Sequence, residues 1–164
     1  MKKVLWSVDK VRGFTLIELM VTLSVLAIIT MIATPSLASA LENQKLKQAA
    51  LDVKIALQQA RTQAVLTNSR QVLCPTAHPM SQESCGEVLK NYEKLTTTQK
   101  NNQINVIILD EKVQFKTGSA THFVFTPQGY TTEQTVTLCA SDRSYVITVY
   151  MPGHVEMLQG STCT

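Results

Sequence analysis

The chain has 164 residues, 45% of them hydrophobic and 16% charged, with a formal net charge of +3. That length holds one domain with an appendage and excludes two full domains. The positive balance is no sign of a nucleic-acid or anionic-lipid surface, because it is confined to the front. Lys2, Lys3, Lys10 and Arg12 precede an apolar run with only Asp9 opposing them, and the remainder holds eleven basic and eleven acidic residues. A basic start of this kind fits the excess of Lys and Arg on the cytoplasmic side of a membrane segment.

Residues 14–34 are almost wholly apolar or small. From Leu19 to Ala33 only Thr22, Ser24 and Thr30 interrupt the run, and each hydroxyl can bond back to its own helix. With Phe14–Ile17 in front and Pro35–Ala40 behind, the segment can span a hydrocarbon core, for which about 20 residues suffice. A secretory signal has a shorter apolar run of roughly 7–15 residues and is then removed. The Ala38-Ser39-Ala40 triplet would be the cleavage site of that alternative.

Glu18 is the anomaly of the apolar run. A carboxylate at mid-bilayer costs roughly 2.5–3.5 kcal/mol on insertion scales, so it calls for a partner, a wet site or a place at the membrane edge. Further on, Pro35 removes one helical hydrogen bond and should bend the helix there. Ala49, Val53, Ala56, Leu57, Ala60 and Ala64 then recur at spacings of three and four, with charged and amide side chains between them. This is an amphipathic helix with a narrow face of small residues. The chain thus opens with a helix of about fifty residues, apolar all round at first and one-sided later.

The stretch "GFTLIELMVTLSVLAII" resembles the class III signal of type IV prepilins: a glycine, a phenylalanine, and a glutamate five residues beyond the glycine inside an apolar run. The resemblance implies that a membrane peptidase cuts between Gly13 and Phe14 and methylates the new amine of Phe14. It implies that the apolar helix stays as an anchor and later becomes the core of a filament. Glu18 of one subunit would pair there with the terminal amine of a neighbour and set the docking register, since an unpaired charge in an apolar bundle is expensive. The plainer reading of Glu18 is an interfacial carboxylate with no partner.

After Thr67 the period changes from about 3.6 to 2. "SRQVLCP" reads as a short strand, and a long polar segment follows from Thr76 to Gln103, with a short helix expected around Glu87–Leu95. Then come "INVIILD", "KVQFK", "THFVF", "TVTLC", "SYVITVY" and "HVEML", rich in Val, Ile, Phe, Tyr and Thr and separated by Gly, Pro, Asp and Ser turns. These short strands make an antiparallel sheet or two small sheets, with the helix of residues 45–66 on the apolar face. The fold class is α+β, a long N-terminal helix packed on a small antiparallel sheet domain. Three regions follow: a leader (1–13), an anchor and filament-core helix (14–41) and an exported domain (42–164).

This part also resembles the GspH/FimT-type minor pilins and pseudopilins, through "RQVLCP" with a second cysteine about ten residues on, "FVFTPQG", "VTLC" and the closing "GHVEMLQGSTC". Four cysteines, Cys74, Cys85, Cys139 and Cys163, all follow the apolar run, as expected of two disulfides in an oxidising compartment. No Cys-x2-4-Cys pair suggests zinc. Four cysteines permit three pairings; chain proximity favours Cys74–Cys85, with Cys139–Cys163 then tying the tail to "TVTLC".

No catalytic constellation, phosphate cradle or metal spacing stands out, and neither an enzyme activity nor a cofactor is expected. His78, His122 and His154 read as surface residues. DNA binding is the sharper rival, because some FimT-like pilins carry a GRxR-type motif near the C-terminus. Here the matching place reads Gly153-His154-Val155-Glu156, without either arginine, and phosphate contacts need Lys or Arg. Lys90, Lys94 and Lys100 in the polar segment could still contribute to a basic patch. The expected role is a minor pilin that joins or primes a type IV pilus. A pseudopilin of a type II secretion system is the alternative, and a DNA-binding pilin for transformation the second. The expected partners are other major and minor pilins, the prepilin peptidase and the inner-membrane assembly platform. The expected location is the inner membrane, single-pass, with the C-terminal domain in the periplasm.

Overall fold

A computed structural model describes residues 14–141, 143–161 and 163, without the side chains of residues 34 and 35. It divides into two units, Met1–Ala38 and Ser39–Thr164. Helix α1 runs Leu16–Leu66, 51 residues. Its end is a Schellman motif. Asn68 takes a left-handed φ of 47°, Ser69 N–H bonds to Ala64 C=O at 3.2 Å, and Asn68 N–H to Val65 C=O at 3.4 Å. Asparagine tolerates that conformation where most residues do not.

The second half of α1 buries Leu46, Ala49, Ala50, Val53, Leu57, Ala60 and Ala64. Ala56, expected on this face, is only partly buried, while Leu46 and Ala50 join it. Four of the seven are alanines, so strand side chains approach the helix backbone closely. They pack with Leu73, Phe123, Phe125, Val136, Leu138 and Ile147 into the main core.

Seven strands form two sheets: β1 (Gln71–Thr76), β2 (Ile104–Ile108) and β4 (Phe123–Phe125) in the order β2-β1-β4, and β3 (Gln114–Phe115), β5 (Gln134–Ala140), β6 (Arg143–Val149) and β7 (Val155–Gly160) in the order β3-β5-β6-β7. The four-stranded sheet is antiparallel throughout. In the three-stranded sheet β1 pairs antiparallel with β4 but parallel with β2, from Val72↔Ile104 to Thr76↔Ile108. One sheet is therefore mixed rather than antiparallel. A parallel pair needs a long crossover, and the polar segment between β1 and β2 supplies it. Pro75 lies past the last β1–β4 pair, Leu73↔Phe123, where β1 is an edge on that side and tolerates a proline.

The crossover is not a plain loop. It holds α2 (Gln82–Gly86), a single 3-10 turn at Tyr92–Lys94, and α3 (Thr97–Gln103). The helix expected at Glu87–Leu95 is replaced by helices on either side of it, because the caps lie elsewhere. Ser81 accepts from Ser84 N–H at the start of α2, and Thr96 and Gln99 form a reciprocal capping box at the start of α3. Under this cover sits a second apolar cluster of Val72, Cys74, Cys85, Leu89 and Ile104. Strand β1 is thus buried on both faces, Leu73 against the main core and Val72 and Cys74 against the second.

Two disulfides close this arrangement. Cys74 is joined to Cys85, with a Cα–Cα distance of 6.0 Å, and pins α2 to β1. Cys139 is joined to Cys163, 5.9 Å between Cα atoms, and ties the tail after β7 to β5. An ionic brace holds α1 to the loops beside it. Lys45 bonds Asp110 at 2.8 Å, while Glu42 accepts from Lys112 at 3.3 Å and from the Ser141 hydroxyl at 2.7 Å. The Ser141 bond, and after it Lys112, holds the Glu42 carboxyl below the usual carboxylate range; the Lys45 bond does the same for Asp110.

Candidate functional site

The apolar first half of α1 stands out because nothing described covers it. Leu16–Ala33 has a mean hydropathy of 2.4 with none of it buried, and among the described residues it is the one helix long and apolar enough to cross a membrane. Thirteen large hydrophobic side chains from Phe14 to Ile32 are exposed. At about 1.5–3 kcal/mol for each side chain fully taken from water, covering them is worth on the order of 20–40 kcal/mol. That exceeds the net stability of a typical domain, so this surface demands lipid or protein around it.

The polar atoms inside the stretch are arranged to permit such burial. Thr22 donates to Leu19 C=O at 2.9 Å, Ser24 to Met20 C=O at 2.8 Å, and Thr30 to Leu26 and Ala27 C=O at 3.0 and 2.9 Å. At the start, the Thr15 hydroxyl accepts from Glu18 N–H at 3.3 Å. Thr15 therefore caps the helix and places Glu18 in its first turn, where the helix dipole favours a negative charge. The Glu18 carboxylate meets no partner among the described residues. Phe14 is exposed immediately ahead of the helix. Gly13 lies outside the described residues, and so does the side chain of Pro35, on which the expected bend rests.

The globular unit disperses its chemistry-bearing residues instead of gathering them. His78 and His154 are exposed and His122 is half-buried. Among the described residues no group of three His, Cys, Asp or Glu could hold a metal ion. At the GRxR-like position, Gly153 forms a turn at φ 78° and His154 stacks on Tyr150, with ring centroids 6.1 Å apart. Glu156 accepts the Tyr150 hydroxyl at 2.8 Å, and that bond pushes the Tyr150 pKa up. Lys90 and Lys94 share one groove with Glu83, Glu87 and Glu93, and Lys100 lies over the Tyr92 ring, 4.2 Å from its centroid. These lysines alternate with carboxylates and do not line a basic track.

Sequence reasoning passed over Arg61. Its Nε donates to Gly129 C=O at 3.4 Å, and its side chain runs beside both the Gly129 and Gly153 turns. No local pattern marks this residue, because its partners lie more than sixty positions away.

A model of the family described as type II transport protein GspH matches residues 49–153. The chain belongs to this family. The match covers most of the packed half of α1, from Ala49 on, and all strands up to the turn before β7. A second model, the prokaryotic N-terminal methylation motif, matches residues 9–34 and takes in Phe14, Glu18 and the exposed apolar run. Together they make this a type IV pilin-like protein of the GspH/FimT type, a minor pilin or pseudopilin whose apolar N-terminal helix fits a membrane anchor. No curated protein matches the chain. Among solved structures, two crystal forms of the type IV minor pilin FimU from Pseudomonas aeruginosa are similar. One, in space group P21, is 17% identical with a TM-score of 0.47 and covers 75% of this chain and 98% of FimU. The other, in P65, is 17% identical with a TM-score of 0.46 and covers 73% and 100%.

Proposed function

We propose that this protein is a structural subunit, a minor pilin made as a membrane-anchored precursor that joins or primes assembly of a type IV pilus. The observation that carries this reading is a fully exposed apolar helix with one carboxylate in its first turn. Residues 1–13 are the leader, cut off between Gly13 and Phe14 by the prepilin peptidase, which methylates Phe14. Residues 14–41 anchor the precursor in the inner membrane, with residues 42–164 in the periplasm, and later pack in the filament core. Glu18 pairs there with the terminal amine of a neighbouring subunit, and that pairing favours one register. The partners are other major and minor pilins, the peptidase and the inner-membrane assembly platform. No step in this role requires catalysis.

A second reading is a minor pseudopilin of a type II secretion system, and the description of the matching family favours it. The helix works identically in both machines, so the recruiting machine separates them. The test is a deletion strain complemented with the wild-type chain or with Glu18→Ala, scored for surface pili and for exoprotein release. Loss of pili supports the first reading and loss of release the second. Normal pili and normal release in the deletion strain would overturn both. Mass spectrometry of the mature chain supplies a separate check, since an N-terminus other than methylated Phe14 would remove the processing scheme.

A further inference from the structure

Strand β2 is an edge: it pairs with β1 alone in the sheet order β2-β1-β4. The bond from Leu109 N–H to Thr76 C=O, 2.8 Å, sets the phase of that parallel ladder. Backbone groups alternate sides along a strand, so residues 105, 107 and 109 face β1, while Ile104, Val106 and Ile108 point outward. The Ile104 N–H is used by the end of α3, on Lys100 C=O. The N–H and C=O of Val106 and Ile108 meet no partner among the described residues.

Natural edge strands are blunted by charge, proline, bulges or shortness. Here β3 and β4 are two and three residues long, and β7 carries Glu156. Strand β2 has none of these devices. The run Gln103–Leu109 contains no charge, no proline and no glycine, and Ile108 is exposed. A segment of this composition is an aggregation hazard unless the working state covers it.

A groove of about 800 Å³ opens beside this edge, between it and α1. Its rim is made of carboxamides, from Gln59, Gln63, Asn101, Asn102 and Asn105, and no charged side chain lines it. The small side chains of Ala56 and Ala60 leave the helix side low, with Leu73 between helix and strand. Along α1 the groove extends from Ala56 to Thr67, about 16 Å at 1.5 Å per residue, which matches about five residues of extended chain. Carboxamides bond to a peptide backbone as donors and acceptors, and an uncharged rim gives a charged side chain nothing to pair with.

We propose that this groove is a strand-addition site, in which a neighbouring pilin-like subunit of a different chain lays an extended, uncharged segment along β2. The segment bonds to the outward main-chain groups of Val106 and Ile108 and seats alternate apolar side chains against Ala56 and Ala60. Only the identity of the occupant rests on the subunit role proposed above; the groove and its chemistry do not.

The test uses the full chain in detergent micelles and amide hydrogen exchange read residue by residue. The probe is the N-acetylated, C-amidated peptide Thr-Val-Thr-Val-Thr, with controls carrying Lys at the second and fourth positions or Pro at the centre. The expected result is at least tenfold slower exchange at Val106 and Ile108 with the uncharged peptide and no change with either control. Asn105→Lys, at an exposed position, should abolish the effect without altering thermal unfolding, and Ala56→Phe should also abolish it by filling the groove. Unchanged exchange at saturating peptide, with the wild-type fold intact, overturns the proposal even if pilus or secretion assays support the subunit role. Protection already present without peptide and lost on dilution overturns it in favour of a second copy of this chain on the edge.

Discussion

The two halves of α1 are one continuous helix with opposite relations to water. In the first half, Leu16–Ala33 exposes leucine, isoleucine, valine and methionine on every side. In the second, a narrow face from Leu46 to Ala64 is buried and the rest of the surface is mostly polar, with Ile55, Val65 and Leu66 exposed among it. What differs is the angular spread of apolar residues: a stripe finds its partner within the same chain, whereas an all-round apolar surface must find lipid or other subunits. The same residue type should therefore matter in different assays in the two halves.

The largest contrast comes from truncating one leucine in each half. Leu57→Ala removes a fully buried side chain from the main core and should destabilise the domain by about 2–5 kcal/mol. Leu26→Ala removes an exposed one and should leave denaturant unfolding of the full chain in micelles unchanged. Equal effects would mean that the first half also packs on the domain.

Next come the covalent ties, which lie only in the globular unit. Cys85→Ser should cost about 2–4 kcal/mol by releasing α2 from β1, and reducing agent should lower the wild-type melting temperature but not the variant's by the same amount. A reductant-insensitive wild type would contradict that contribution.

A smaller effect tests the turn around Arg61. Gly153→Ala places a Cβ against Gly129 C=O and the Arg61 side chain at a φ of 78°, and should cost about 1–3 kcal/mol. Gly118→Ala has a similar φ of 86° but open space around it, so it should lose only about 1 kcal/mol. Thermal unfolding of the pair separates crowding from backbone strain.

The smallest effect is electrostatic. Glu42 and Asp110 have folded pKa values below their ordinary 4.5 and 3.8. Depressed carboxylates contribute stability that is present above those ordinary values and lost as pH falls through the lower folded ones. A slight drop in melting temperature below about pH 4.5 is expected, reduced by salt and by Lys112→Met together with Lys45→Met. Glu42 is only half-buried and Asp110 is exposed, so solvent screens both pairs and the change should stay small.

Much of the molecule was legible from local signals. The long helix, its switch from all-round to one-sided apolarity, and the short strands all follow from spacing that each segment carries within itself. The capping box at Thr96–Gln99 was equally local, yet α3 buries no residue and so carries no apolar period to announce it. Helix expectations drawn from hydrophobic rhythm miss helices of that kind.

The sequence by itself determined where water must be excluded: around Phe14–Ala33, along the alanine-rich stripe of α1, and between the strands. Only the tertiary structure decided that β2 lies parallel to β1, that the polar crossover covers a second core over Val72 and Cys74, and that Arg61 meets two distant turns. Those outcomes depend on residues that are far apart along the chain and become neighbours only after folding. Period and propensity describe a segment's own faces and do not specify which distant segment will cover them.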